Sequence, residues 1–135
     1  MKLIFGESSS GKSTEALETL KSGDKCLYIS LDSDRTIKSK IDQGNFDIQY
    51  IKVEPNLMDV NIEILQRKIG TTHVIIDPIN YIMKYSSISI KELVDDFSVI
   101  EDNHKIEIIL VLNTLKNLET DLSNLKNIKL IKTEL

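Results

Sequence analysis

Residues 2–20 constrain the fold of this chain more than any other stretch. An apolar run, Leu3-Ile4-Phe5, enters Gly6-Glu7-Ser8-Ser9-Ser10-Gly11-Lys12-Ser13-Thr14, and Ala16, Leu17 and Leu20 follow at helical spacing. That order predicts a buried strand, a tight loop and an amphipathic helix. Gly6 and Gly11 lack a Cβ, so the loop can take positive φ and bring its backbone close to a bound group. A loop whose N–H groups converge at the positive end of a helix is a nest for an anion.

Positions 6–13 satisfy the P-loop pattern G-x-x-x-x-G-K-[ST] at every fixed position, in the strand–loop–helix context that the pattern requires. The expected nucleotide-binding residues are Gly6, Glu7, Ser8, Ser9, Ser10, Gly11, Lys12, Ser13 and Thr14. Lys12 is expected to reach the β- and γ-phosphates as a flexible point charge, and the Ser13 hydroxyl to ligate a magnesium ion through hard oxygen. Thr14 is expected beside the α-phosphate. A second landmark, Thr72-His73-Val74-Ile75-Ile76-Asp77, is an apolar strand ending in a carboxylate, the form of a Walker B element. A strand buried on both faces carries Asp77 to the carboxyl edge of a sheet, where it can orient magnesium through water. Pro78 then leads the chain out of the sheet. ATP and Mg2+ are the cofactors this pairing predicts.

With 135 residues the chain suits one domain, 1–135, around a single sizeable core. Hydrophobic residues at 41% and charged residues at 28% place it among globular proteins. No apolar stretch approaches a membrane span, and residues 1–5 run into the loop without a cleavable signal, so a cytoplasmic protein with no membrane partner is expected. Cys26 is the single cysteine, which excludes an internal disulfide and a thiolate zinc site. A formal net charge of -4 with scattered lysines argues against a surface dedicated to coating nucleic acid. Lys126, Lys129 and Lys132 read as a solvated face, and neither His73 nor His104 has a second metal-type residue at ligand spacing. Phosphate chemistry remains.

In chain order, residues 22–24 form a stop and turn, and residues 25–31 a buried strand ending at Asp32, which completes a β-α-β unit. Residues 34–43, with Ile37 and Ile41 one turn apart, predict a short helix closed by Gly44; residues 46–53 predict a strand stopped by Glu54-Pro55. Asn56 caps a helix in which Met58, Ile62, Leu65 and Ile69 repeat at helical spacing, and Gly70 ends it. Residues 79–88 read as an irregular surface loop with Tyr81, Met83 and Tyr85 alternating through it. Ser89-x-x-Glu92 is a capping box for a helix with Ile90, Leu93, Val94 and Phe97 on its core face. Residues 105–112 predict a buried parallel strand, with Asn113, Thr114 and Lys116 just beyond its carboxyl end. Leu115, Leu118, Leu122 and Leu125 trace a last helical stripe, and residues 127–133 an edge strand.

Gly6 to Ser13, then Cys26-Leu27-Tyr28-Ile29-Ser30-Leu31-Asp32 and His73-Val74-Ile75-Ile76-Asp77, make the chain resemble the RecA superfamily of P-loop ATPases, with RecA, RadA and DnaB-type cores as its nearest likenesses. The likeness covers nearly the whole chain as an order of elements, and the P-loop alone at the level of letters. It implies an α/β three-layer sandwich of RecA-like type with a mainly parallel central sheet. It also implies that Asp32, at the end of the strand after the P-loop helix, activates the attacking water, so Lys12, Asp32 and Asp77 are the expected catalytic residues. The family carries glutamate where Asp32 stands; aspartate is one methylene shorter, so slow basal turnover is expected. Family members work as oligomers on nucleic acid and draw arginine fingers from neighbours, and neither Arg35 nor Arg67 matches such a motif. A homo-oligomer or a larger ATPase partner is therefore implied. Gly11-Lys12-Ser13-Thr14-Glu15 and Lys25-Cys26-Leu27 also look like type II thymidine kinases. Those kinases follow the Walker B aspartate with a glutamate base, where this chain has Pro78-Ile79-Asn80, and they carry zinc-binding cysteines absent here. A nucleotide-dependent binding module with little hydrolysis is the other reading. The absence of an N-K-x-D motif favours ATP over GTP.

Overall fold

The computed structural model describes residues 1–8, 10–32, 36–114 and 121–134. Among these residues, strands and helices follow in the order β1 (Lys2–Gly6), α1 (Lys12–Glu18), β2 (Lys25–Ser30), α2 (Thr36–Gln43), β3 (Asp47–Lys52), α3 (Leu57–Arg67), β4 (His73–Asp77), α4 (Asn80–Ser86), α5 (Ile90–His104), β5 (Glu107–Asn113) and β6 (Lys129–Lys132). The strands form one sheet in the order β3-β2-β4-β5-β1-β6, and every pairing is parallel.

Residue alternation along the strands splits the core into two halves. Leu3, Leu27, Ile29, Val74, Ile76, Ile108 and Leu110 face one side of the sheet, where Val60 and Ile64 of α3 and Leu93, Val94 and Phe97 of α5 cover them. Ile4, Cys26, Tyr28, Ile75, Ile109 and Val111 face the other, under Ala16 and Leu17 of α1 and Ile37 and Ile41 of α2. Period-two alternation feeding two apolar faces is the reason the strands read as near-continuous hydrophobic runs. The result is a three-layer α/β architecture, with the fully parallel sheet in place of the mainly parallel one expected.

Connections leaving β1 and β2 cross on the α1/α2 face, whereas those leaving β3 and β4 cross on the α3/α5 face. Loops diverge to opposite faces at the carboxyl edge of the central strands, and a crevice outside such an edge is where open α/β sheets receive ligands.

Two expectations need correction. Residues 79–88 are not an irregular loop: α4 occupies Asn80–Ser86, with Ile79 and Ile82 both 0% exposed on its inner side. The alternation of Tyr81, Met83 and Tyr85 concealed the i, i+3 pair that anchors the turn, while Tyr81 and Tyr85 lie exposed one turn apart. In α3 the stripe Met58, Ile62, Leu65 and Ile69 is the exposed one, with Met58 at 69% and Ile69 at 94%, and the helix ends at Arg67, before Ile69. Val60 and Ile64 face the core instead. The helix carries two apolar stripes at the same spacing, and packing against the sheet chooses between them.

Other local predictions hold. Asn56 Oδ1 accepts from the Met58 N–H at 2.8 Å at the start of α3, and Ser89 and Glu92 form both bonds of the capping box that opens α5. Ile37 and Ile41 are the buried residues of α2. The expected edge strand is β6, paired with β1. Asp34, Arg35, Leu115, Lys116 and Leu118 lie outside the described residues; Leu122 is buried in the larger core cluster.

Candidate functional site

A cavity of about 380 Å³ lies at the carboxyl edge of the sheet, lined by Ser8, Gly11, Lys12, Ser13, Thr14, Asp32, Thr36, Ile37, Lys40, Asp77, Pro78 and Asn113. Two neighbouring pieces of backbone give it a firm base. Gly6 and Asn113 stand side by side in the β1–β5 register, and Thr114 N donates to Gly6 O at 2.9 Å. Asn80, at the start of α4, grips the Asn113 backbone from both sides: its Nδ2 donates to the Asn113 carbonyl at 2.7 Å, and its Oδ1 accepts from the Asn113 N–H at 2.8 Å.

The loop between β1 and α1 is held on both flanks. A Cβ at Gly6 would meet the Thr133 carbonyl and Oγ1 at 2.5 Å, so glycine there permits the approach of the segment after β6. Ser10 Oγ and Thr133 Oγ1 share a hydrogen bond of 2.6 Å. Gly11 has φ 86 with open space around it, so the left-handed backbone, not a contact, is what calls for glycine. α1 starts at the next residue, and its Ala16 and Leu17 lock it onto the sheet.

Lys12 is 5% exposed. Its Nζ folds back over the loop, donating to the Glu7 carbonyl and, at 3.4 Å, to Ser10 Oγ. Burial lowers its pKa from the ordinary lysine value, and the nearby Asp77 carboxylate opposes that shift. Ser13 Oγ donates to Asp77 Oδ2 at 2.6 Å, and the hydroxyl of the fully buried Tyr28 donates to the same oxygen. Burial raises the Asp77 pKa above the ordinary carboxyl range; the bonds from Ser13 and Tyr28 pull it down, Asp32 pushes it up again, and Lys12 lowers it.

Asp32 lies two residues past Ser30, which pairs in register with Asp77 across β2 and β4. The first carboxylate therefore stands farther out at the same edge and lines the same cavity as the second. Ser30 Oγ donates to the Asp32 carbonyl at 3.0 Å and lies 3.5 Å from Asp32 Oδ1.

Of the residues expected to bind nucleotide, Ser8, Gly11, Lys12, Ser13 and Thr14 line the cavity, while Gly6, Glu7 and Ser10 support the loop from behind. Ser9 lies outside the described residues. Asp32 and Asp77, some 45 positions apart in the chain, both reach it. Sequence reasoning missed Tyr28, Lys40, Asn80 and Thr133. Tyr28 reads as one more apolar strand residue, and nothing local marks its hydroxyl for Asp77. Lys40, on α2, donates from Nζ to Thr14 Oγ1 at 2.7 Å. His73 sits at the other end of β4, its Nε2 3.2 Å from Glu107 Oε2, away from this edge. Cys26 is buried and its thiol is pushed up to about 12, so it is not a nucleophile.

Among the described residues no group of three or more His, Cys, Asp or Glu side chains is arranged to hold a metal ion. A hydroxyl and one or two carboxylates are nevertheless the hard-oxygen set that suits Mg2+, which keeps waters and takes its remaining ligands from phosphate oxygens. Ser13 and Asp77 fit that role.

The fold and the site define a six-stranded, all-parallel α/β domain whose carboxyl edge gathers a glycine-bounded loop, two lysines and two carboxylates around one cavity. No protein-family model matches this chain, and no curated protein aligns with it significantly. No helix among the described residues is long and apolar enough to cross a membrane.

Proposed function

We propose that this chain is an ATP-binding P-loop protein of RecA-like type that acts as a Mg-dependent ATPase. The observation that carries the reading is the 2.6 Å bond between Ser13 and Asp77 at a cavity that also receives Lys12 and Asp32. A hydroxyl from the loop helix and a carboxylate from a distant strand converge where a phosphate-bound cation needs hard oxygen. Ser13 and Asp77 would hold Mg2+, which would supply charge neutralisation to the bound phosphates.

The chain's own groups supply the rest. The loop N–H groups, with Gly11 left-handed, receive the polyphosphate, and Lys12 leaves the Glu7 carbonyl to stand beside the terminal phosphates. Asp32 orients water and takes its proton as the water oxygen bonds to the γ-phosphorus and the bond from that phosphorus to the β–γ bridging oxygen breaks, releasing ADP and phosphate. Pro78 follows Asp77 where a thymidine-kinase-like site carries its glutamate base, and the lack of that base favours water over a nucleoside as acceptor. Work as part of an oligomer or beside a larger ATPase, and action on nucleic acid, belong to the proposal through the RecA likeness alone.

Calorimetric titration with Mg-ATP, followed by phosphate-release assays, tests the reading. Magnesium-dependent binding with slow release of phosphate is expected. Wild-type protein with no magnesium-dependent affinity for any nucleoside triphosphate would sink it. Binding without turnover would leave a nucleotide-dependent switch.

A further inference from the structure

α2 brings a second cation to the cavity. Ile37 and Ile41, 5% and 7% exposed, seat this helix beside Ala16 and Leu17 of α1 in one apolar cluster. Lys40 lies one turn after Ile37, at the border of that buried face, and lines the cavity with its Nζ on Thr14 Oγ1. Its partner is a neutral hydroxyl, and among the described residues no carboxylate lies within 4.0 Å of the ammonium. Lys12, by contrast, folds back onto Glu7 and Ser10 at the start of the loop. The two lysines thus approach opposite ends of the loop from different helices, and although Asp32 and Asp77 line the same cavity, an ammonium with no described carboxylate within 4.0 Å keeps its charge for an incoming anion.

We propose that Lys40 is a ligand-binding residue for the phosphate nearest the nucleoside. The proposal rests on the nucleotide reading above, in which Thr14 stands beside the α-phosphate and Lys12 beside the β- and γ-phosphates. Lys40 Nζ exchanges its bond to Thr14 Oγ1 for an α-phosphate oxygen, or holds both with separate protons, since an ammonium has three donors. That phosphate is common to nucleoside tri- and diphosphate. Lys40 therefore strengthens binding of both equally, whereas Lys12 discriminates between them.

Titration calorimetry of Mg-ATP and Mg-ADP with wild type, Lys40→Met and Lys40→Arg decides the matter. Methionine keeps the aliphatic stem and removes the charge; arginine keeps the charge. Lys40→Met is expected to weaken ATP and ADP by the same factor, about tenfold or more, as a charge-assisted hydrogen bond would. Lys40→Arg is expected to retain most of the affinity. On a Thr14→Val background, Lys40→Met must still cost affinity, because a lysine that merely props Thr14 has nothing left to prop. Lys40→Met binding both nucleotides like wild type, losing ATP alone, or costing nothing on the Thr14→Val background would overturn the assignment while the nucleotide reading stood. A wild type that bound neither nucleotide would overturn both.

Discussion

Ser13 and Asp77, 64 positions apart in the chain, meet in a hydrogen bond of 2.6 Å, and the Asp77 oxygen that accepts it also accepts from Tyr28. Two donors on one oxygen hold the carboxylate in a single orientation at the cavity that Asp77 lines. The arrangement costs stability in the ligand-free protein, because burial outweighs the two bonds and raises the Asp77 pKa.

A pH dependence follows from that shift. The folded-state pKa of Asp77 lies above its unfolded value, so the folded protein holds the proton more tightly. Stability associated with Asp77 is complete below the unfolded pKa, falls as pH rises through the interval between the two, and stays reduced above the folded pKa. Ligand-free Asp77→Asn, which still accepts from Ser13 and Tyr28 through Oδ1, is expected to be more stable than wild type at neutral pH, with the gain vanishing in acid. Urea unfolding at a series of pH values checks this, and a gain that persists at the acid end contradicts it. The same variant should lose magnesium-dependent nucleotide binding.

Removing the Lys12 ammonium removes the cation that the proposed function assigns to the terminal phosphates. Lys12→Ala is expected to weaken Mg-ATP binding by about tenfold or more while the thermal transition remains cooperative. Because Lys12 faces the β- and γ-phosphates in the proposed site, the loss for ADP should be smaller. Calorimetric titration of both nucleotides reads the difference.

Asp32 carries the proposed proton transfer. Asp32→Asn keeps the size and cannot accept a proton, so nucleotide binding should persist while turnover falls by about 10²-fold or more. Asp32→Glu extends the carboxylate by one methylene, to the length of the glutamate that the RecA superfamily carries at the corresponding position, and under the proposed mechanism is expected to raise the rate. An Asp32→Asn variant releasing phosphate as fast as wild type would remove Asp32 from the mechanism.

The two apolar stripes of α3 are separable by mutation. Ile64 is 0% exposed and Ile62 is 43% exposed. Ile64→Ala should destabilise by about 2–5 kcal/mol through lost burial and a residual cavity. Ile62→Ala should stay within about 0.5–1 kcal/mol. Equal losses in denaturant midpoints would mean that both stripes are covered in solution.

Short-range features were legible from residue order alone. The glycine-bounded loop, the Asn56 cap, the Ser89/Glu92 capping box, and β4 ending in Asp77 all depend on neighbours within a few positions, where backbone geometry and side-chain chemistry act directly. Apolar runs at β2, β4 and β5 announced strands buried on both faces, and so a parallel sheet under two helical layers. Ser13 was identifiable as a candidate from the P-loop pattern and Asp77 from its place at the end of an apolar strand, whereas Asp32 was singled out through the resemblance to the RecA superfamily.

Tertiary structure alone decided the rest. The spacing of Met58, Ile62, Leu65 and Ile69 is as helical as that of Val60 and Ile64, and only the sheet beneath α3 selects which stripe is buried. Residues 80–86 form a helix because Ile79 and Ile82 find the core, which no local pattern states. Tyr28 meets Asp77 because β2 and β4 are adjacent in the sheet, Lys40 meets Thr14 because α2 packs beside α1, and Thr133 meets Ser10 because β6 joins the edge next to β1. Each is a contact between segments far apart in the chain, and strand order and helix packing, which bring those segments together, follow from the joint burial of all the apolar faces rather than from the pattern of any one.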